Sequence, residues 1–331
     1  MDNNIKSLCK EYAEYFPIGA AVNPKVIKSH TGLIVKHFNS ITPENEMKPA
    51  LIHKTEAEYW FEDADALVGF AQENRMKVRG HTLVWHNQTP DWFFTDKTGK
   101  PAPRELLLKK MKEHIHTVAG RYKGKVYCWD VVNEAVEDTS SIYLRKSKWL
   151  EMVGEDFIER AFEYAHDSDP DAVLFYNDYN ECKAEKCEKI YRLVKSLNEK
   201  DIPVHGIGMQ GHWSIYGPTL DEIKRAVEKY ASLGVKLQVT ELDVSLYEPD
   251  YKGMELKAPL PELLAKQEEY YGRIFELFRE YKSVFTGITF WGAADDVTWL
   301  NNFPTKGRKN WPLLFDDEHK PKAAFSSVLN K

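Results

Sequence analysis

Two stretches of this chain end an apolar run on a carboxylate. In YCWDVVNEAV (127–136) the residues Tyr127, Trp129, Val131 and Val132 read as a strand buried on both faces, and Asn133 and Glu134 break the pattern. KLQVTELDV (236–244) runs apolar through Val239 and then presents Glu241 and Asp243. A glutamate closing a buried strand suits acid/base or nucleophilic work. Cleaving a glycosidic bond with retention needs one protonated carboxyl to feed the leaving oxygen and one ionised carboxylate to attack the anomeric carbon, about 5–5.5 Å away. Either glutamate alone reads equally well as a rim carboxylate in a structural ion pair. Two of them facing across one mouth favour chemistry.

Other residues have types that would support such a pair. His212 and Asp243 are placed to hold Glu241 ionised and aimed, although His212 alone also reads as a satisfied core histidine. Gln210 and Trp85 are candidates to position Glu134, beside a low-dielectric wall that would raise its pKa and keep it protonated. The chain has nine Trp and seventeen Tyr. Most aromatics are core. Trp85, Trp291, Trp299 and Tyr179, at or just beyond strand ends, read instead as flat platforms for sugar rings, with Asn45, Lys48, His81 and Asn133 bonding hydroxyls. Metal and serine chemistries find little support: His114-x-His116 sits in an amphipathic segment over 104–121, and there is neither HExxH nor Gly-x-Ser-x-Gly.

These residues need a scaffold that brings strand ends together. Eight strand candidates occur in order, at 16–22, 37–45, 77–85, 125–134, 172–178, 204–213, 236–244 and 285–293. Six amphipathic helix candidates fall between them, at 66–74, 105–122, 157–169, 187–200, 220–234 and 260–281, with Thr219 and Glu222 as a capping box and Gly234 as a stop. Repeated strand-then-helix units without a Pro/Gly/Ser linker predict one α/β domain over 1–331, a parallel sheet closed into a (β/α)8 TIM barrel. An open doubly wound sheet would want a Gly-rich phosphate turn after its first strand, and FPIGAAVNPK has none. Barrel active sites lie at the C-terminal strand ends, where these polar residues fall. Strict alternation along a strand would put His81 on one face with Trp85, Gln210 with His212, Asp130 with Glu134 and Glu241 with Asp243.

Composition limits the partners. A hydrophobic content of 43% supports a sizeable core, and a net charge of -6 without a basic block argues against nucleic acid. No apolar run approaches the roughly 18–20 residues of a membrane span. The opening MDNNIKSLCKEYAEYF carries acidic residues throughout and no secretory pattern, and Cys9, Cys128, Cys182 and Cys187 show neither disulfide nor zinc spacing. The expectation is a cytoplasmic protein with reduced thiols and no membrane partner. Oligomeric state stays open.

Seven motifs in order carry a resemblance: SITPENEMK (40–48), GHTLVWH (80–86), WDVVNE (129–134), NDYN (177–180), GMQGHW (208–213), QVTELDV (238–244) and FWGAAD (290–295). Together they resemble glycoside hydrolase family 10, the endo-β-1,4-xylanases, across essentially the whole chain. The resemblance implies Glu134 as acid/base, Glu241 as nucleophile, and Asn133 as the amide bonding the 2-hydroxyl of the sugar being cleaved. It implies His212 and Asp243 as the pair orienting the nucleophile and Gln210 as the contact of the acid/base. Glu44, Asn45, Lys48, His81, Trp85, Trp291 and Trp299 match glycone-subsite positions, and Tyr179 an aglycone platform. After Lys48 the chain reads Pro49-Ala50, where many members have a tryptophan and an acid.

The expected activity is retaining endo-hydrolysis of xylan or xylo-oligosaccharides without metal or other cofactor. Three rivals stand beside it. They are a β-1,4-glucanase on the same barrel, a catalytically dead sugar-binding barrel, and a metal-dependent barrel hydrolase that a chelator would silence.

Overall fold

The computed structural model describes residues 5–139, 141–248, 251, 253 and 256–330, so the extreme ends of the expected 1–331 domain lie outside the described residues. Among the described residues nine strands run in parallel: β1 (Ile18–Val22), β2 (Ser40–Pro43), β3 (Lys77–Trp85), β4 (Val126–Asn133), β5 (Val173–Asp178), β6 (Gly206–Met209), β7 (His212–Ser214), β8 (Lys236–Ser245) and β9 (Phe285–Phe290). β1 to β5 each pair with the next, β8 pairs with β6, β7 and β9, and β1 pairs with β9, which closes the barrel. β6 and β7 are two pieces of one expected strand, and both lie against β8. The break falls at Gly211, whose φ of +76° is left-handed and whose missing Cβ would come within 2.7 Å of Val239 Cγ1. Eight strand positions therefore remain, as a (β/α)8 barrel requires.

The helices follow from pattern. In Leu220–Ala231 the residues Ile223, Ala226, Val227 and Tyr230 recur at three and four and are buried. Thr219 and Glu222 close the expected capping box, a contribution of about 1 kcal/mol. Gly234 then turns with φ +76° toward β8. Five more helices match the expected segments within a few residues: Glu62–Glu73, Arg104–Arg121, Phe157–Ser168, Ala184–Glu199 and Pro261–Glu280. The first and last crossovers use short helices absent from the sequence expectation, Pro24–Ser29 with Thr31–His37, and Ala323–Leu329. Their apolar stripes span only one or two turns, too little for periodicity to declare itself.

The barrel centre is ionic. The fully buried Arg79 (β3) forks onto both carboxylate oxygens of the fully buried Asp130 (β4), and its Nε donates to Gln238 Oε1 (β8) at 3.0 Å. His81 Nδ1 meets the same carboxylate at 2.8 Å. Asp130 thus lies beneath the mouth and not beside Glu134 on it, which corrects the alternation expected for that pair. Among the described residues no helix is long and apolar enough to cross a membrane.

Candidate active site

All fourteen residues singled out from sequence line one cleft of about 740 Å³ at the C-terminal ends of the strands. They are Glu44, Asn45, Lys48, His81, Trp85, Asn133, Glu134, Tyr179, Gln210, His212, Glu241, Asp243, Trp291 and Trp299. The two glutamates reach the cleft through breaks in strand alternation. In β4 the register shifts between Asp130 and Val132, and Glu134 has a left-handed φ of +57°, so the consecutive Asn133 and Glu134 face the same space. In β8 the inward Gln238 and Thr240 are followed by Glu241 and Asp243 on the cleft, a step of one residue across the register shift between Val239 and Leu242.

Glu134 sits in a fixed hydrogen-bond frame. Trp85 Nε1 donates to its Oε2 at 3.0 Å, while Gln210 Nε2 at 3.0 Å and Asn133 Nδ2 at 3.2 Å donate to its Oε1. Burial, reinforced by the charge of Glu241, raises its pKa above the ordinary value against the opposing pull of Gln210 and Trp85. A raised pKa favours the protonated carboxyl that a general acid needs.

Glu241 is pushed the other way. Burial would raise it, but the hydrogen bond from His212 and the positive potential of His81, His212 and Lys48 override this and hold it near about 2. His212 Nε2 lies 3.1 Å from Glu241 Oε2, and its Nδ1 3.0 Å from Asp243 Oδ2. Burial would lower His212, yet Asp243 and Glu241 lift it to about 10, so the ring is an imidazolium donating from both nitrogens. Trp299 Nε1 donates to the same Asp243 oxygen at 2.8 Å.

The walls complete the site. Lys48 Nζ donates to Asn45 Oδ1 at 3.0 Å and lies 5.1 Å and 5.9 Å from the ring centres of Trp85 and Trp291. Glu44 accepts from Asn23 Nδ2 at 3.3 Å. Tyr179 is fixed by donating to Asp138 at 2.6 Å and accepting from Arg145 at 2.8 Å, so its ring is a rigid surface. Pro49 begins the short helix Pro49–Ile52 directly after Lys48.

Sequence reasoning quoted Asn177 only within NDYN, as a polar end of strand five with no role, and missed Phe303 and Arg308. Asn177, at the end of β5, is fully buried under the cleft. Gly208 makes room for it, since a Cβ there would stand 2.2 Å from Asn177 Oδ1. Phe303 stacks on Trp299 with ring centres 5.1 Å apart and remains 57% exposed, an aromatic surface extending the Trp299 wall. Arg308 lies over Tyr247 at 4.3 Å on the cleft wall. The density of aromatic and basic residues in 299–311 was the available signal for the last two. His114, the metal candidate, is buried at 3.1 Å from His53 in the outer layer and does not line the cleft.

A glycosyl hydrolase family 10 model matches residues 7–331. The chain belongs to glycosyl hydrolase family 10. It is 55% identical over 332 residues to an endo-1,4-beta-xylanase of Geobacillus stearothermophilus, with 100% of each chain covered. It is 52% identical over 331 residues to endo-1,4-beta-xylanase B of Paenibacillus barcinonensis, again with 100% of each covered. The solved structure of xylanase XynB from Paenibacillus barcinonensis, complexed with a conduramine derivative, superposes with a TM-score of 0.98 at 52% identity over 99% of each chain. A mutant structure in complex with xylotriose superposes at 0.97, with 48% identity over 99% of this chain and 100% of that one.

Proposed function

We infer that this protein is a retaining endo-1,4-β-xylanase acting on xylan and xylo-oligosaccharides. The observation that carries the mechanism is two carboxyls lining one cleft in opposite surroundings: Glu241 accepts from the His212 imidazole, which pulls it low, while burial beside Glu241 pushes Glu134 up. Glu241 attacks the anomeric carbon as a carboxylate and forms the glycosyl-enzyme. Glu134 gives its proton to the departing glycosidic oxygen.

The same pair supports the second step. The charge of Glu241 is one of the causes that raise Glu134. Esterification of Glu241 by the sugar removes that charge, so Glu134 becomes a better-ionised carboxylate just when a base is needed. It then takes the proton of the incoming water, whose oxygen displaces Glu241 from the sugar. Asn133 bonds the 2-hydroxyl. His212 and Asp243 orient Glu241, while Glu44, Asn45, Lys48, His81, Trp85, Trp291 and Trp299 form glycone subsites. Tyr179 presents its ring to the aglycone.

Cytoplasmic action on short xylo-oligosaccharides is the finer part of this reading. Four free, buried cysteines suit a reducing compartment. The test follows reducing-end release from xylan and a β-1,4-glucan in parallel, with the first-formed anomer read by proton NMR. The reading requires preference for xylan and the β-anomer first. A glucan preference, or binding without cleavage, would overturn it. Comparison of purified oligomers with polymeric xylan tests the finer part, and a strong polymer preference counts against it.

A further inference from the structure

Among the described residues, one histidine–carboxylate cluster away from the cleft has the geometry of a metal site. His30, Asp296 and His319 each bring one ligand atom to within 4.8 Å of the others. His30 joins the two short helices after β1, Asp296 lies in the turn Asp295–Val297 after β9, and His319 lies in the turn before Ala323–Leu329. Because β1 and β9 are neighbours in the barrel, the cluster spans the seam between the first and last units.

His30 is anchored on both sides of its ring. Its Nδ1 lies 2.7 Å from Ser29 Oγ, which also donates to Lys25 O at 3.0 Å, and its Nε2 lies 3.1 Å from Asp296 Oδ1. His319 Nε2 stands 3.6 Å from Asp296 Oδ2, beyond a good hydrogen bond. A cation serves all three. The edge of a tetrahedron with bonds of ~2.1 Å is about 3.4 Å, inside the 4.8 Å within which the three ligand atoms lie.

The ligands are also held in place. His30 is buried and oriented by Ser29, the outer hydrogen bond that metal-bound imidazoles use. His319 sits at φ +63° in a turn where Asp316 Oδ1 accepts from the N–H groups of Glu318 and Lys320, each at 2.9 Å. Asp296 and His319 remain partly open to solvent, which supplies an entry path.

We propose that His30, Asp296 and His319 bind one zinc-type divalent cation, with water as fourth ligand, and that the ion staples the first and last units of the barrel. Two imidazoles and one carboxylate favour Zn²⁺ over the oxygen-seeking Ca²⁺ and Mg²⁺. None of the three lines the cleft, so the ion takes no part in hydrolysis.

The test uses the full chain after chelator treatment and dialysis, titrated with ZnCl2 by calorimetry and followed by thermal unfolding, with CaCl2 and MgCl2 as controls. One zinc per chain is expected, with a Tm that climbs with zinc concentration. His319→Ala should weaken binding by about tenfold or more and leave hydrolysis unchanged. Cobalt should give the strong visible absorption of a four-coordinate ion in the parent chain and lose it in the variant. His319→Ala changes a partly exposed turn residue, and its Tm in chelator reports folding directly. No zinc binding by the parent chain overturns the proposal, as does parent-like affinity in both His319→Ala and His30→Gln.

Discussion

The side-chain amide of Asn177 donates to Glu241 Oε1 at 2.8 Å. The same nitrogen donates to Asn133 Oδ1 at 2.9 Å, and Asn133 Nδ2 in turn reaches Glu134 at 3.2 Å. The two glutamates are therefore joined by a chain of two amides, with Thr240 Oγ1 donating to Asn177 Oδ1 at 2.7 Å from below. This chain holds Asn133 and Glu241 in one fixed relation under the sugar site.

Asn177→Ala should lower kcat/KM on xylotetraose by ~10–100-fold while the protein still folds, because the donor to Glu241 disappears and Asn133 loses its anchor. Stability should fall by about 1–3 kcal/mol, the cost of leaving buried polar groups unpaired. Steady-state kinetics with urea unfolding measures both. A loss of stability with kcat/KM intact would assign Asn177 a purely structural role.

Gly208→Ala should reproduce the kinetic defect from the opposite side, because a methyl 2.2 Å from Asn177 Oδ1 displaces the amide. Combined with Asn177→Ala, it should add far less than its own single effect, since both act on one element. Full additivity in the double-mutant cycle would refute the coupling.

The pH profile of kcat/KM should have its acidic limb set by Glu241, near about 2, and its alkaline limb by Glu134, above the ordinary carboxylate value. His212→Asn removes the imidazolium, so Glu241 titrates higher and the acidic limb should move up by ~1 unit or more. Stability follows the same contact. His212 rises from 6.5 to about 10 on folding, so its contribution is fully present below 6.5 and is lost as pH climbs through about 10. Glu241, depressed from 4.5 to about 2, contributes above 4.5 and loses its share as pH falls through about 2. Much of this is one contact seen from its two ends and is counted once. An unmoved acidic limb in His212→Asn would sever His212 from Glu241.

Asp130→Ala should destabilise the barrel by ~3–5 kcal/mol, since it strands the buried Arg79 guanidinium without its carboxylate. Urea unfolding measures it. A loss under about 1 kcal/mol would show that the pair is dispensable.

Much of this was legible in the chain. Strand positions announced themselves through apolar runs capped by polar residues, and Thr219 with Glu222 marked a helix start that the structure reproduces. The polar strand ends identified the mouth. Alternation failed where it mattered most, at Asn133–Glu134 and Thr240–Glu241, because a register shift or a left-handed residue depends on neighbouring strands that no local window contains. The role of Asn177 escaped for a similar reason, since it lies in Gly208 vacating space and in partners far away in the sequence. The short helices Pro24–Ser29 and Ala323–Leu329 carry too few turns to show a period.

Glu134→Ala should cost most on xylo-oligosaccharides, whose leaving group needs a proton, and least on aryl xylosides with good leaving groups. Equal losses on both would contradict its role as the acid.

The most direct test of the central claim is peptide mass analysis after reaction with a 2-deoxy-2-fluoro xylobioside carrying an activated leaving group. The account predicts a stable ester on the peptide containing Glu241, with that carboxylate as the labelled atom. A label on any other residue, or turnover of the reagent with the inverted anomer and no label, would contradict it.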